Sequence, residues 1–322
     1  MNKIVSAEHQ SSLFLCRTPL QACICLKIIE RKNIINFDLI YFTQDDSDSD
    51  RLYFRRLKVQ ARASQYIYVR RQRFDMVNHF LAYRSVDDLI KDNRYLDIYV
   101  ASIDSLFFRT LLRGKAGRLY TFDDGAANVI KPGIYDGEYL SLRARVYTSI
   151  VGALTPMQIR NASQIHYTIY SDIDNIVPRE RTEFIDVFDH LKYEVNPKES
   201  VTFFIGQPFS EYLSELEIFR LRRYLNSQKI QYYLMHPREQ MALISNAQIL
   251  DKGGELAEIA IFETARGRRP RIISCFSSVV LNISGDFADK VYLSVARDLM
   301  EKRRLELMAT MGCEIVQIDH LP

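Results

Sequence analysis

Three short polar clusters carry the residue types that group-transfer chemistry needs: Asp123-Asp124-Gly125, His236-Pro237 and Ser277-Ser278. Two adjacent carboxylates can fix a sugar hydroxyl or accept its proton. An imidazole can protonate a leaving phosphate, and serine hydroxyls with helix N-terminal amides can surround its oxygens. Each cluster also has a plainer use. Asp-Gly is a common turn pair, a His before Pro serves on surfaces and in cores, and Ser-Ser after a strand caps a helix. Position makes them a set, because each directly follows an apolar stretch that reads as a strand. Open parallel sheets bind ligands just beyond the carboxyl ends of their strands.

The elements that must hold these clusters alternate along the chain. Strands are predicted at residues 12–16, 37–43, 67–70, 96–102 and 119–122, with helices at 22–31, 51–63, 74–92 and 105–113. Thr18 is placed to cap the first helix, and Pro19 is allowed at its first position. This alternation gives one doubly wound layer over residues 1–128. A helix at 143–154 and an exposed turn and strand at 160–170 follow. Residues 172–197, of mixed charge with Pro178 and Pro197, read as a linker containing a helix. A second alternation has strands at 200–205, 230–235, 247–250, 270–275 and 291–293. Its helices are expected at 210–228 and 255–264, with a closing helix within 287–311. The expected fold is α/β, with two doubly wound Rossmann-like domains facing across a cleft, the GT-B type. Its domains would be residues 1–190 and 198–322.

Composition narrows the function classes. The 322 residues are 47% hydrophobic and 26% charged, as in a soluble globular protein, and a net charge of +3 does not by itself imply nucleic acid. Basic residues concentrate at 51–73, among Tyr and Phe, and at 266–271. Such faces suit an acidic partner or simply water. The five cysteines have no zinc spacing and point to a reducing compartment. Residues 1–10 are polar, and the apolar run 13–29 is broken by Arg17, Pro19, Gln21 and Lys27, so neither a cleavable signal nor a membrane span is expected. A cytoplasmic protein follows, with room for peripheral contact with the inner membrane. The acidic stretch 45–50 fails as a calcium loop, since Arg51 stands where Gly is needed and Leu57 where Glu is needed. Asp46 and Asp48 then remain as metal ligands or as parts of a solvated helix cap. Asn161-Ala-Ser163 matches a glycosylation sequon, which carries little in a chain read as cytosolic.

In order, Thr121-Phe-Asp-Asp-Gly125 with Asn128, Arg160-Asn-Ala-Ser163 with His166-Tyr-Thr-Ile169, Gly206-x-Pro208, His236-Pro-Arg238 and Phe276-Ser277 form a specific series. Through it the chain resembles the bacterial lipooligosaccharide sialyltransferases of glycosyltransferase family 52, from about Cys16 to Leu293. The resemblance implies an inverting, metal-independent enzyme without a cofactor. It would move sialic acid from CMP-sialic acid to a terminal galactose of lipooligosaccharide or a similar surface glycan, with α2,3 and α2,6 linkage both open. Residues 1–190 would be the acceptor side, and 198–322 would bind the nucleotide sugar. His236, with Pro237, would contact the CMP phosphate and protonate it; Ser277 and Ser278 would bond the same phosphate, and Gly206 would line the donor site. The base is divided. The family's lipooligosaccharide enzymes carry an Asp after the Gly-x-Pro turn, where this chain has Phe209. Glu211, expected in the first turn of the following helix, is slightly preferred as the substitute, and Asp124 and Asp123 compete with it. Arg17, Thr18, Gln21 and Asn128 are expected at the acceptor site; for Arg17, Thr18 and Gln21 an ordinary helix start is the plain alternative. Relatives that dimerise suggest a homodimer exchanging residues 136–174.

Two other functions stay open on the sequence. A family 52 hexosyltransferase acting on a lipopolysaccharide core would share every fold feature. A module binding nucleic acid or membrane through residues 51–73 and 266–271 would be salt-sensitive and indifferent to His236. No nucleic-acid motif accompanies that charge, so nucleic acid is not expected as a partner.

Overall fold

The computed structural model describes residues 11–70, 76–91, 95–130, 135, 142–171, 173–189, 196–236, 238–275, 277–294 and 299–321. The chain divides into two compact units, Met1–Val187 and Phe188–Pro322.

The first unit begins with β1 (Ser11–Cys16), α1 (Pro19–Lys32), β2 (Phe37–Thr43), α2 (Asp48–Lys58) and β3 (Ala63–Tyr68). It continues with α3 (Met76–Ile90), β4 (Tyr95–Val100), α4 (Leu106–Leu111), β5 (Arg118–Phe122), α5 (Leu142–Val151), α6 (Pro156–Ala162), β6 (Ser163–Thr168) and β7 (Thr182–Phe184). All seven strands are parallel, in the order β3-β2-β1-β4-β5-β6-β7. β1 and β2 are buried along their whole length, as strands covered on both faces must be. Phe14 and Tyr99 stack at 4.5 Å and Tyr99 and Tyr120 at 4.9 Å, so aromatic rings bridge β1, β4 and β5. Leu13, Leu15, Ile40, Ile98 and Val100 pack in a buried cluster with Phe107, Phe108 and Val86 from the helices. Each such side chain stabilises by roughly 1.5–3 kcal/mol.

The second unit contains β8 (Asn196–Ile205), α7 (Glu215–Ser227), β9 (Tyr232–Leu234), β10 (Gln248–Ile249), α8 (Ala257–Ala265) and β11 (Arg268–Cys275). After these come α9 (Val279–Asn282), β12 (Asp289–Ser294), α10 (Leu299–Thr310) and β13 (Cys313–Gln317). The strand order β10-β9-β8-β11-β12-β13 is again fully parallel. In both units the first strand lies beside the fourth. The direction of winding therefore reverses between β1 and β4, and between β8 and β11, and ligands bind at such switch points.

Several expectations change. The first sheet does not end at residue 128, because β6 and β7 extend it. Residues 172–197 are not a plain linker: β7 closes the sheet, and Ile176, Val177, Ile185 and Val187 are buried. Their isolated apolar anchors are hidden among charges. Asn161 lies in α6, which Thr155 caps with Gln158, rather than in an exposed turn. α7 starts at Glu215 behind the Ser214–Glu217 capping box, so Glu211 sits before it in a separate 3-10 turn, Phe209–Glu211. The strand β13 had no counterpart in the sequence reading. Among the described residues no helix is long and apolar enough to cross a membrane.

The acidic stretch before α2 is a cap. Ser47 Oγ accepts the Asp50 N–H at 3.1 Å, the Asp50 carboxylate accepts the Ser47 N–H at 2.9 Å, and buried Asp50 also accepts the Tyr41 hydroxyl at 2.7 Å. Ser47→Ala is therefore expected to lower stability by about 1 kcal/mol in urea denaturation. Asp48→Asn should stay within about 0.5 kcal/mol, because its carboxylate only favours the helix dipole.

Candidate functional site

In the first unit, residues following β1, β4 and β5 converge beside the switch point. Thr18, extended at the N-cap of α1, accepts the Gln21 N–H at 3.3 Å, which brings Gln21 into the first turn. Gln21 is completely buried. Its Oε1 accepts the Arg17 N–H at 2.7 Å, and its amide nitrogen donates to Ser102 Oγ at 2.9 Å and to the Asp124 carboxylate. The other Asp124 oxygen accepts the Tyr135 hydroxyl at 2.6 Å, and Asn128 Oδ1 accepts the Asp124 N–H at 2.7 Å. Gly125, at φ +97° and ψ −150°, makes the bend that only glycine adopts readily. The Arg17 guanidinium donates to Gln44 at 3.0 Å and lies 5.4 Å from the centre of the Phe42 ring. Burial pushes the Asp124 carboxyl up to about 6; Asp104 raises it further, while Tyr135, Ser102 and Arg17 hold it down. A carboxylate in this range is ionised at neutral pH yet more basic than a surface one, as a general base requires.

Its neighbour Asp123 is placed differently. It is fully buried and accepts four hydrogen bonds: from His166 Nε2 at 2.9 Å, Thr168 Oγ1 at 2.7 Å, Ile169 N at 2.8 Å and Asn175 Nδ2 at 2.9 Å. Thr121 bonds the other imidazole nitrogen at 2.9 Å. Every Asp123 partner except its own strand lies on β6 or the segment after it. Asp123 thus ties β5 to β6 and presents no oxygen to solvent.

In the second unit, Gly206 follows β8, His236 follows β9 and Ser277 follows β11, three adjacent strand ends flanking the second switch point. His236 Nδ1 accepts the Arg238 N–H at 3.1 Å, which leaves the ring proton of the neutral imidazole on Nε2. Ser277 is buried, with Oγ accepting the Val279 N–H at 3.3 Å, whereas Ser278 is exposed at the start of α9. Pro237 and Phe276 lie outside the described residues. Phe209, at the position where the resemblance implies an acid, is buried and stacked 5.9 Å from Phe204, so core packing holds it. Glu211 is half exposed and ion-paired with Arg238 at 2.6 Å.

Four polar residues of these sites escaped the sequence reading. Ser102 and Asp104 follow β4, and the strand-end rule used for the other clusters would have found them. Tyr135 has no local signal. Glu239 accepts the His236 N–H at 2.7 Å and the Tyr233 hydroxyl at 2.7 Å, while its own N–H donates to His236 O at 2.9 Å. This reciprocal i, i+3 pairing repeats the logic of a helix capping box. A Cβ on Gly206 would lie 2.0 Å from Glu239 Oε2, so glycine is required there by close approach.

Asp123→Asn is expected to cost about 2–4 kcal/mol in denaturation, since an amide meets donors with a donor. Asp124 follows the opposite sign. Its carboxyl is raised from 3.8 to about 6, so it favours the fold below about pH 4 and loses that contribution as pH rises through 6. Asp124→Asn should therefore stay within about 1 kcal/mol of wild type at pH 7.5.

Comparison with known proteins identifies this framework. A CMP-N-acetylneuraminate:β-galactoside α-2,3-sialyltransferase of Pasteurella multocida (strain Pm70) is 28% identical over 84% of this chain and 87% of that protein. An N-acetyllactosaminide α-2,3-sialyltransferase of Haemophilus influenzae is 26% identical over 84% of this chain and 88% of its own. Among solved structures, the α/β-galactoside α-2,3-sialyltransferase of Photobacterium phosphoreum superposes with a TM-score of 0.59 at 13% identity. It covers 97% of this chain and 99% of that one. A UDP-GlcNAc 2-epimerase of Neisseria meningitidis reaches 0.60 at 11% identity, covering 96% and 88%. These likenesses establish the fold, two doubly wound α/β units of GT-B type. The sequence profile of glycosyltransferase family 52 matches residues 36–294, most of the chain, and the protein belongs to that family.

Proposed function

We propose that this glycosyltransferase is a metal-independent α-2,3-sialyltransferase that moves sialic acid from CMP-sialic acid to a terminal galactose. One observation carries the mechanism: Asp124 sits at the switch point of the first unit, half-buried, with its carboxyl raised by desolvation to about 6. The donor, acceptor and linkage rest on family membership and on the names of the relatives from Pasteurella and Haemophilus.

In this mechanism Asp124 accepts the proton of the galactose hydroxyl as its oxygen attacks the anomeric carbon of sialic acid. The bond from that carbon to the CMP phosphate breaks from the opposite face, so the anomeric configuration inverts. Negative charge grows on the departing phosphate, which is where donors lower the barrier. His236 supplies the Nε2 proton, because the Arg238 amide occupies Nδ1. Ser277 and Ser278 add hydroxyl donors at the neighbouring strand end. Donors of this kind meet the phosphate charge without a divalent ion.

Asp124 is preferred to Glu211 on electrostatic grounds. The Glu211 carboxylate is half exposed and held by the Arg238 guanidinium at 2.6 Å, so the oxygen that would take a proton is already occupied by a cation. Asp123 is preferred less still, since all its acceptor capacity is used by β6 and the segment beyond it.

The test is CMP release from CMP-sialic acid with lactose and EDTA. Asp124→Asn and His236→Ala should each lose about 10²–10⁴-fold in kcat, with Glu211→Gln within about 10-fold of wild type. For wild type, kcat/KM should fall below about pH 6 as Asp124 takes a proton. Consumption of a UDP-sugar in place of CMP-sialic acid would sink the donor assignment, and loss of turnover in EDTA would sink metal independence.

A further inference from the structure

We infer that Asp104 determines acceptor specificity, its buried Oδ1 accepting a hydrogen bond from a second hydroxyl of the sugar that Asp124 deprotonates. This rests on the sialyltransferase reading of the same site. Among the described residues, two buried polar side-chain atoms have no hydrogen-bond partner: Asp104 Oδ1 and Ser274 Oγ. Ser274 is fully buried inside β11, between β8 and β12. Asp104 lies in the turn after β4, at the switch point, where ligands bind.

An acceptor oxygen shut from water without a donor is costly, and a carboxylate oxygen most of all. The neighbouring side chains do not relieve it. Gln21 spends both amide hydrogens on Ser102 and Asp124, the Tyr135 hydroxyl goes to Asp124, the Arg17 guanidinium reaches Gln44, and the buried Arg109 guanidinium, whose charge also acts on Asp104, donates to Leu154 O and Thr148. In this inference the missing donor comes from the sugar that binds there. A galactose offers neighbouring hydroxyls on one ring, and two carboxylates side by side divide them: one takes the proton, the other fixes the ring so that the reacting hydroxyl is held in line.

The same placement has an electrostatic consequence. Asp124 is faced by three ionisable groups: Arg17 from the turn after β1, Asp104 from the turn after β4, and Tyr135. Arg17 lowers its pKa and Asp104 raises it. Removing the charge of Asp104 therefore makes Asp124 a weaker base, and its protonation moves to lower pH.

The experiment pairs Asp104→Asn with galactosides lacking one hydroxyl at a time. With wild type, removing one hydroxyl other than the attacking one should raise KM about 10-fold or more, since a site built for a hydroxyl rejects the analogue without it. In Asp104→Asn, KM for the intact galactoside should rise by a similar factor and that selective penalty should shrink to about twofold or less, the coupling a shared hydrogen bond produces. The acid limb of kcat/KM should also move down by about half a pH unit. Asp104→Ser, run beside it, serves if the Asn variant does not fold. A deoxy penalty that persists in the variant overturns the inference alone, as does an unmoved acid limb. Wild type that releases no CMP with any galactoside overturns the reading beneath it and this inference with it.

Discussion

A carboxylate sealed from water must be met by donors on every side, and Asp123 is the place where this protein satisfies that demand. Its four donors come from His166, Thr168, the Ile169 amide and Asn175, so the end of β5, the end of β6 and the segment after β6 are fixed to one another. Leaving any of them unpaired in this dry environment costs more than the bond contributes. The result is a rigid strand end. Asp124, the next residue, leaves that anchor with its direction set, and the glycine bend at Gly125 turns the chain back so that Asn128 can hold the Asp124 amide. The acid proposed as the base is therefore positioned by a fully bonded one beside it.

The second unit solves the same problem with a different carboxylate. Glu239 is pressed against Gly206 and bonded to Tyr233 and to the backbone of His236, tying the ends of β8 and β9 together. Burial raises its carboxyl, and the hydrogen bonds it accepts pull it back. Arg238, one residue earlier, gives its amide to the imidazole and its guanidinium to Glu211 and Tyr212. In both units an acid held by several hydrogen bonds fixes the backbone, and the group proposed for the chemistry is its sequence neighbour or the residue it clamps. The parallel sheet imposes this pattern, since its strand ends are the only places where unpaired backbone and side chains come together.

Much of this was legible from residue order. Apolar runs ended by Gly, Pro, Asp or His located nearly every strand, and the capping residue Thr18 marked the start of α1 closely. What failed did so for physical reasons. Residues 172–197 looked like a linker because the five buried apolar side chains among its described residues are spread among charges, without the periodicity of a helix or strand. His166 and Thr168 drew notice only through resemblance, since nothing local shows that a histidine on a central strand serves a carboxylate 43 residues away. Glu211 was expected in a helix because acids favour first turns, yet Ser214 is the better cap and the helix begins after it. Asp123 and Asp124 are indistinguishable as letters; only their partners separate an anchor from the candidate base.

That separation also explains why the fold alone is a poor guide to the reaction. A UDP-GlcNAc 2-epimerase shares this architecture at least as closely as a sialyltransferase does, on the evidence of superposition. Parallel winding creates two switch points whatever side chains follow. The choice of chemistry lies in a handful of positions just past β1, β4, β5, β8, β9 and β11. There, a carboxylate surrounded by one amide, two hydroxyls and a distant arginine is raised by desolvation, whereas Glu211 is spent on an ion pair with Arg238. The same two letters, Asp and Glu, thus acquire opposite uses from the dielectric and the donors around them, and the strand ends decide which.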